Sequence, residues 1–137
     1  MPANNNPIFS KKGAAQWAAA GIAAANIAKD GTGTVATVFT GGVEGNYLHK
    51  LIARPRGTNV ATVLRVFVNN GLTNATAANN SLIAELTLPA TTLSEVAAQP
   101  SFELPLNFIL PAGFVINCTI GTAVAAGHSL TIIGGEY

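Results

Sequence analysis

Punctuation constrains this chain more than any other feature. The runs TVATVFT, YLHKLIARP, VATVLRVFVNN, SLIAELTLP, SFELPLNFILP, AGFVINCTIG and GHSLTIIGGEY follow one another, broken by GGVEGN, RGTN, GLTNATAANN and TAVAAG. Val, Ile, Thr and aromatic residues suit a pleated, half-buried surface, and Gly, Asn and Pro at the breaks supply the backbone angles of turns. Turn signals recurring every eight to twelve residues predict an all-β fold, an antiparallel, jelly-roll-like β-sandwich of seven or eight strands.

Details of these runs carry further expectations. Pro55 and Pro89 end their strands, and Pro105 confines SFELPLNFILP to an edge or a bulge, because proline cannot donate to a ladder. ATTLSEVAAQP reads as a loose loop or one helical turn, and the last two runs read as a closing pair joined by TAVAAG. VATVLRVFV is apolar without clean alternation, so both of its faces look partly buried. One face of a small antiparallel sandwich is normally wet. A second buried face calls for another subunit, another sheet or a larger surface.

The exception to the strand pattern is QWAAAGIAAANIAKDGTG, residues 16 to 33. Alanine favours helix, yet Gly21 costs a helix about 1 kcal/mol. Trp17, Ile22 and Ile27 are five apart, where a helical stripe needs three or four. The segment is too short and too weakly apolar to span a membrane. It is read as a strand from about Ala18 to Ala28, turning through KDGTG into TVATVFT as a hairpin, with a short helix as the alternative. Ahead of it, MPANNNPIF holds two prolines and three asparagines and reads as an extended arm anchored by Ile8 and Phe9. The expected organisation is an N-terminal arm, 1–13, and a single sandwich domain, 14–137.

Composition narrows the function. The chain has 137 residues, a net charge of +1, and only 9% charged residues against roughly 25% in ordinary soluble domains. A surface built mainly of Asn, Thr, Ser, Gln and Ala suits a chain packed against neighbours in an assembly. No basic field recruits nucleic acid, and the seven basic residues are not interleaved with aromatics. The one cysteine, Cys118, lies in an apolar run and reads as a buried thiol. The start of the chain lacks the apolar core of a signal peptide, which leaves the Asn-X-Ser/Thr triplets at Asn74, Asn79 and Asn117 without a glycosylation context.

Catalytic patterns are not legible. His49 and His128 have no third ligand at metal spacing. Asp30, Glu44, Glu85, Glu95, Glu103 and Glu136 stand singly, whereas general acid–base chemistry needs two groups brought close. GTGTV lacks both the Lys-Ser/Thr of a phosphate loop and the third glycine of a dinucleotide fingerprint. The expectation is a protein that is not an enzyme, with no cofactor and no metal. Arg54 and Arg56 flank Pro55 on a turn, where two guanidinium groups suit a partner's carboxylate, or else a solvated strand end.

GTNVATVLRVFVNNG, TNATAANNSLIAELTLPATTLSEVAA, LPAGFVINCTIGTAVAAG and the ending GGEY resemble small virion proteins of tailed bacteriophages, over roughly Trp17 to Tyr137. The resemblance implies a capsid cement, or decoration, protein: β-rich, self-associating as a dimer or trimer, on the outer surface of the virion capsid, with the major capsid protein as partner. It brings no catalytic motif. Candidate partner contacts are Pro2, Ile8 and Phe9 of the arm, and Arg54 and Arg56. The alternatives are a tail, baseplate or fibre protein, and a sandwich module binding carbohydrate through exposed aromatics.

Overall fold

The computed structural model describes residues 9–137. Eight strands form two four-stranded antiparallel sheets. They are β1 (Lys12–Trp17), β2 (Ala36–Thr40), β3 (Asn46–Pro55), β4 (Thr62–Asn69), β5 (Asn80–Leu88), β6 (Phe102–Leu110), β7 (Val115–Ile120) and β8 (His128–Glu136). One sheet runs β1-β8-β3-β6 and the other β2-β7-β4-β5, the interleaved order of a jelly roll. Only β4 and β5 are consecutive and paired, so every other connection crosses between sheets.

The two sheets face each other across an apolar core. Leu48, Leu51, Ala53, Leu130 and Ile132 from the first sheet meet Phe39, Leu64, Val66, Ile116, Cys118 and Ile120 from the second. Alternation along each strand builds this core: Leu130 and Ile132 point in while Ser129, Thr131 and Ile133 point out. Burial pushes the Cys118 thiol far up, which makes it an inert core group.

Three expectations are corrected. The alanine segment is a strand only as far as Trp17; residues 18–35 form an irregular strap touching the sheets at isolated bridges, Ile22 to His128 and Ala25 to Ile120. Its hairpin with TVATVFT does not form, because β1 pairs with β8 in the opposite sheet. Alanine at 18–20 and 23–25 has too little side chain to make a half-buried face, so single backbone bonds hold it, such as Asn26 N–H to the Ile120 carbonyl at 2.9 Å. The last two runs are not a pair either: β7 and β8 lie in different sheets. Pro2, Ile8 and most of the arm lie outside the described residues.

Pro105 sits in β6, an edge strand, beside a bulge. The register jumps between Leu48/Phe108 and Lys50/Pro105, so two β6 residues, Leu106 and Asn107, face the single β3 residue His49. Asn107 takes φ +53°, the only positive φ of a non-glycine residue among those described. The bulge also passes to β8, where Gly134 is required: a Cβ there would overlap the Tyr47 carbonyl oxygen.

Candidate functional site

The outer faces of the two sheets differ. On the second sheet, Phe67, Asn69, Asn117 and Thr119 point away from the core and are nonetheless buried. Asn69 is held by two loops of the same chain, residues 26–34 and 70–80, Asn117 Oδ1 accepts from the Thr37 hydroxyl of β2 at 2.8 Å, and Thr119 lies beside the alanine strap. Asn69 Nδ2 donates to Asn80 Oδ1 at 2.8 Å, and Asn80 Nδ2 donates to the carbonyls of Asp30 and Asn74 at 3.1 and 2.9 Å. Asn74 Nδ2 donates to Gly31 and Gly33 at 3.1 and 2.8 Å, and Asn26 Nδ2 to Thr32 and Thr34 at 2.9 and 2.7 Å. Asparagine suits this work because one short side chain offers two donors and an acceptor to backbone. Asp30 joins by accepting from the Thr32 hydroxyl and N–H, which holds its carboxyl below the usual range. The second buried face read from VATVLRVFV therefore exists, and the chain covers it itself.

Among the described residues, the outer face of the first sheet has no such cover. Register aligns its residues in rows: Trp17, Thr131, Ile52 and Glu103; then Ala15, Ile133, Lys50 and Pro105; then Gly13, Gly135, Tyr47 and Ile109. Trp17, the one tryptophan, is 64% exposed there. A Lys50–Glu103 ion pair, Nζ to Oε2 at 3.0 Å, lies in this face, and the other described pairs are Arg65–Glu85 and Lys12–Glu136. Each keeps at least one partner open to solvent, so each carries small energetic weight.

The candidate contact residues are divided by this face. Arg54 lies at one end, exposed, with Nη2 donating to the Gln99 carbonyl at 3.3 Å. Arg56 serves the fold: Nε donates to Ser129 Oγ at 3.0 Å and Nη1 to the Ala20 carbonyl at 2.9 Å, tying the alanine strap to β8. Phe9, 66% exposed, sits at the other end beside Tyr47, Asn107, Ile109 and Tyr137. Six residue steps along β8, roughly 20 Å, separate Ser129 from Gly135, so Phe9 and the arginines are not one site.

The sandwich is closed on one side and open on the other. Between edge strands β1 and β2, the Gln16 side chain donates to the Thr40 carbonyl at 3.0 Å and accepts from the Thr40 N–H at 2.9 Å. Between β5 and β6 an apolar cleft of about 440 Å³ remains, lined by Val68, Ala84, Leu106, Phe108 and Phe114 among others.

Neither histidine is in a titratable cluster. His49 is exposed on the β3 bulge, while His128 is fully buried with no partner on either ring nitrogen. Burial lowers the His128 pKa below its ordinary value. Among the described residues no three of His, Cys, Asp and Glu converge in a way that holds a metal. Sequence reading missed Tyr47, Asn107 and Tyr137 as neighbours, since they come from β3, β6 and the chain end; the only local signal was Pro105, which marks the bulge. Comparison with protein-family models, with curated proteins and with solved structures yields no match.

Proposed function

We propose that this protein is a bacteriophage capsid cement protein, binding the outer shell and bridging neighbouring capsomers of the major capsid protein. The observation that supports it most is the uncovered face of the first sheet, a broad surface of small and apolar residues carrying little charge. Among the described residues, two asparagine-tied loops bind the outer side of one sheet and none bind that of the other, which suits a sheet that meets a partner. The low charged fraction, 9%, and the resemblance of its strand phrases to phage virion proteins point the same way.

Such a protein acts by linkage. It binds the assembled shell and not the separated capsomers, so each filled site stabilises assembly by RT ln(1 + [L]/Kd). Many copies act together, and each contact can be modest. Trp17 and Ile52 supply apolar contact, and Arg54 supplies a guanidinium for a shell carboxylate.

The decisive experiment mixes the purified protein with shells stripped of it and images them by cryo-electron microscopy. Regular outer density bridging capsomers, with the Trp17 face inward, is the expected result. Bare shells under saturating protein would overturn the proposal and direct attention to the phage tail. Deleting residues 2–9 is expected to weaken shell binding by about 1 kcal/mol or more, the scale of lost anchor contacts. Equal binding by the truncated chain would remove the arm from the interface.

A further inference from the structure

Four of the protein's nine aromatic residues, including both tyrosines, line one pocket at the Phe9 end of the bare face. Phe9, Tyr47, Phe108 and Tyr137 surround it, with Ser10, Asn107 and Ile109, in a volume of about 560 Å³. Sequence-distant segments are brought together there by identifiable devices. Gly135 has no side chain, and Ser10 occupies the space that a Cβ would take. The chain can therefore cross β8 closely and deliver Phe9 beside Ile109. Lys11 N–H bonds to the Glu136 carbonyl at 2.8 Å and fixes that crossing.

The polar part is as specific. Asn107 holds a left-handed backbone that few non-glycine residues adopt, and it does so inside a bulge that turns it outward. The Tyr47 hydroxyl donates to Asn107 Oδ1 at 3.0 Å. That bond orients the amide, and its two N–H donors make no hydrogen bond to the described residues. Among the described residues no lining side chain is charged. Aromatic walls suit the apolar C–H face of a ring, and the amide, the phenol oxygens and Ser10 Oγ suit hydroxyl groups on its rim.

We propose that this pocket is a binding site for a neutral saccharide, with a sugar ring against the Tyr47 and Tyr137 side chains and a hydroxyl accepting from the Asn107 amide. The site lies at the far end of the face from Arg54 and does not depend on the shell reading, because it belongs to the free protein. A proline-rich peptide is the competing ligand for aromatic walls, but it would leave the oriented amide and the Ser10 hydroxyl with less to bind.

The test uses the full chain without shells. Saturation-transfer NMR and a glycan array would be run with neutral mono- and oligosaccharides of glucose, galactose, mannose and N-acetylglucosamine, and with an oligoproline peptide as competitor. At least one saccharide is expected to bind at millimolar concentration. Asn107→Gly and Tyr47→Ala should each weaken it about tenfold, the scale of one lost hydrogen bond, while Trp17→Ala leaves it unchanged. Asn107→Gly also keeps the experiment independent of folding, since glycine accepts the left-handed backbone and its thermal midpoint should not fall. Silence across the saccharide panel, unaltered binding by both variants, or displacement of every sugar signal by oligoproline would each overturn the assignment.

Discussion

The two sheets of this sandwich have nearly equal inner faces and opposite outer ones. Behind the second sheet, a phenylalanine and two asparagines are buried, and loops of the same chain bind one of those asparagines; behind the first, a tryptophan is largely exposed beside a row of small side chains. The difference does not come from the strands, since both sheets mix apolar and polar residues on the outside. It comes from where the asparagines are. Asn26 braces the 26–34 loop internally, Asn74 and Asn80 tie that loop to 70–80 by backbone-directed bonds, and among the described residues the first sheet has no equivalent set. Loop cover is thus a property of polar residues in turns, and the sheet without such turns is the one on which the proposed shell contact rests.

The strongest way to break this comparison is Phe67→Ala. Phe67 is 0% exposed although it lies outside the inter-sheet core cluster, so truncation should cost about 3–5 kcal/mol, as for a core aromatic. Ile52→Ala on the bare face should cost about 1 kcal/mol or less. Urea unfolding of the two variants decides the point: similar losses would mean that the loops do not seal the second sheet.

Asn80→Ala should follow, at about 1–3 kcal/mol, because the Asp30 and Asn74 carbonyls lose a shared donor. Hydrogen exchange should speed up in 26–34 and 70–80 while β3 and β8 stay protected. Uniform acceleration would show that the clamp stabilises the whole sandwich rather than its cover.

Acid tests the core common to both sheets. His128 is buried neutral with its folded pKa below its unfolded value of about 6.5. The unfolded chain therefore binds the extra proton first. Stability is fully present above about pH 6.5 and falls as the pH drops below it, by up to about 1.4 kcal/mol per unit until the folded pKa is reached. His128→Leu should remove that slope from stability measured between pH 7.5 and 5.5; an unchanged slope would assign it to other groups.

The smallest expected effect sharpens the comparison most. Trp17→Ala, at an exposed site, should change monomer stability by less than about 1 kcal/mol and yet abolish measurable attachment to stripped shells in a sedimentation assay. Full attachment would move the interface away from the bare sheet.

Much of the fold was legible because the physics involved is local. Val-, Ile- and Thr-rich runs between Gly, Asn and Pro clusters specify strands and turns whatever surrounds them, and the expected runs from TVATVFT onward each hold one strand. Pro105 announced an edge and a bulge because a missing N–H has the same consequence in any sheet. The alanine segment was misread for the complementary reason. Small side chains specify neither periodicity nor a face, so its path was left to single bonds from Arg56, His128 and Ile120.

Strand order was beyond local reading. The pairing of β1 with β8, and of β7 with β4 rather than β8, is chosen by how two twisted sheets share one core, and no short stretch encodes it. The same holds for the aromatic pocket, where Phe9, Tyr47, Asn107 and Tyr137 are neighbours only because β1, β3, β6 and β8 lie side by side. By itself the sequence determined which segments are strands, which residues turn the chain, and that charge plays little part at the surface. Tertiary structure alone decided which strands adjoin, which outer face is covered and which side chains converge, because those depend on contacts between residues far apart in the chain.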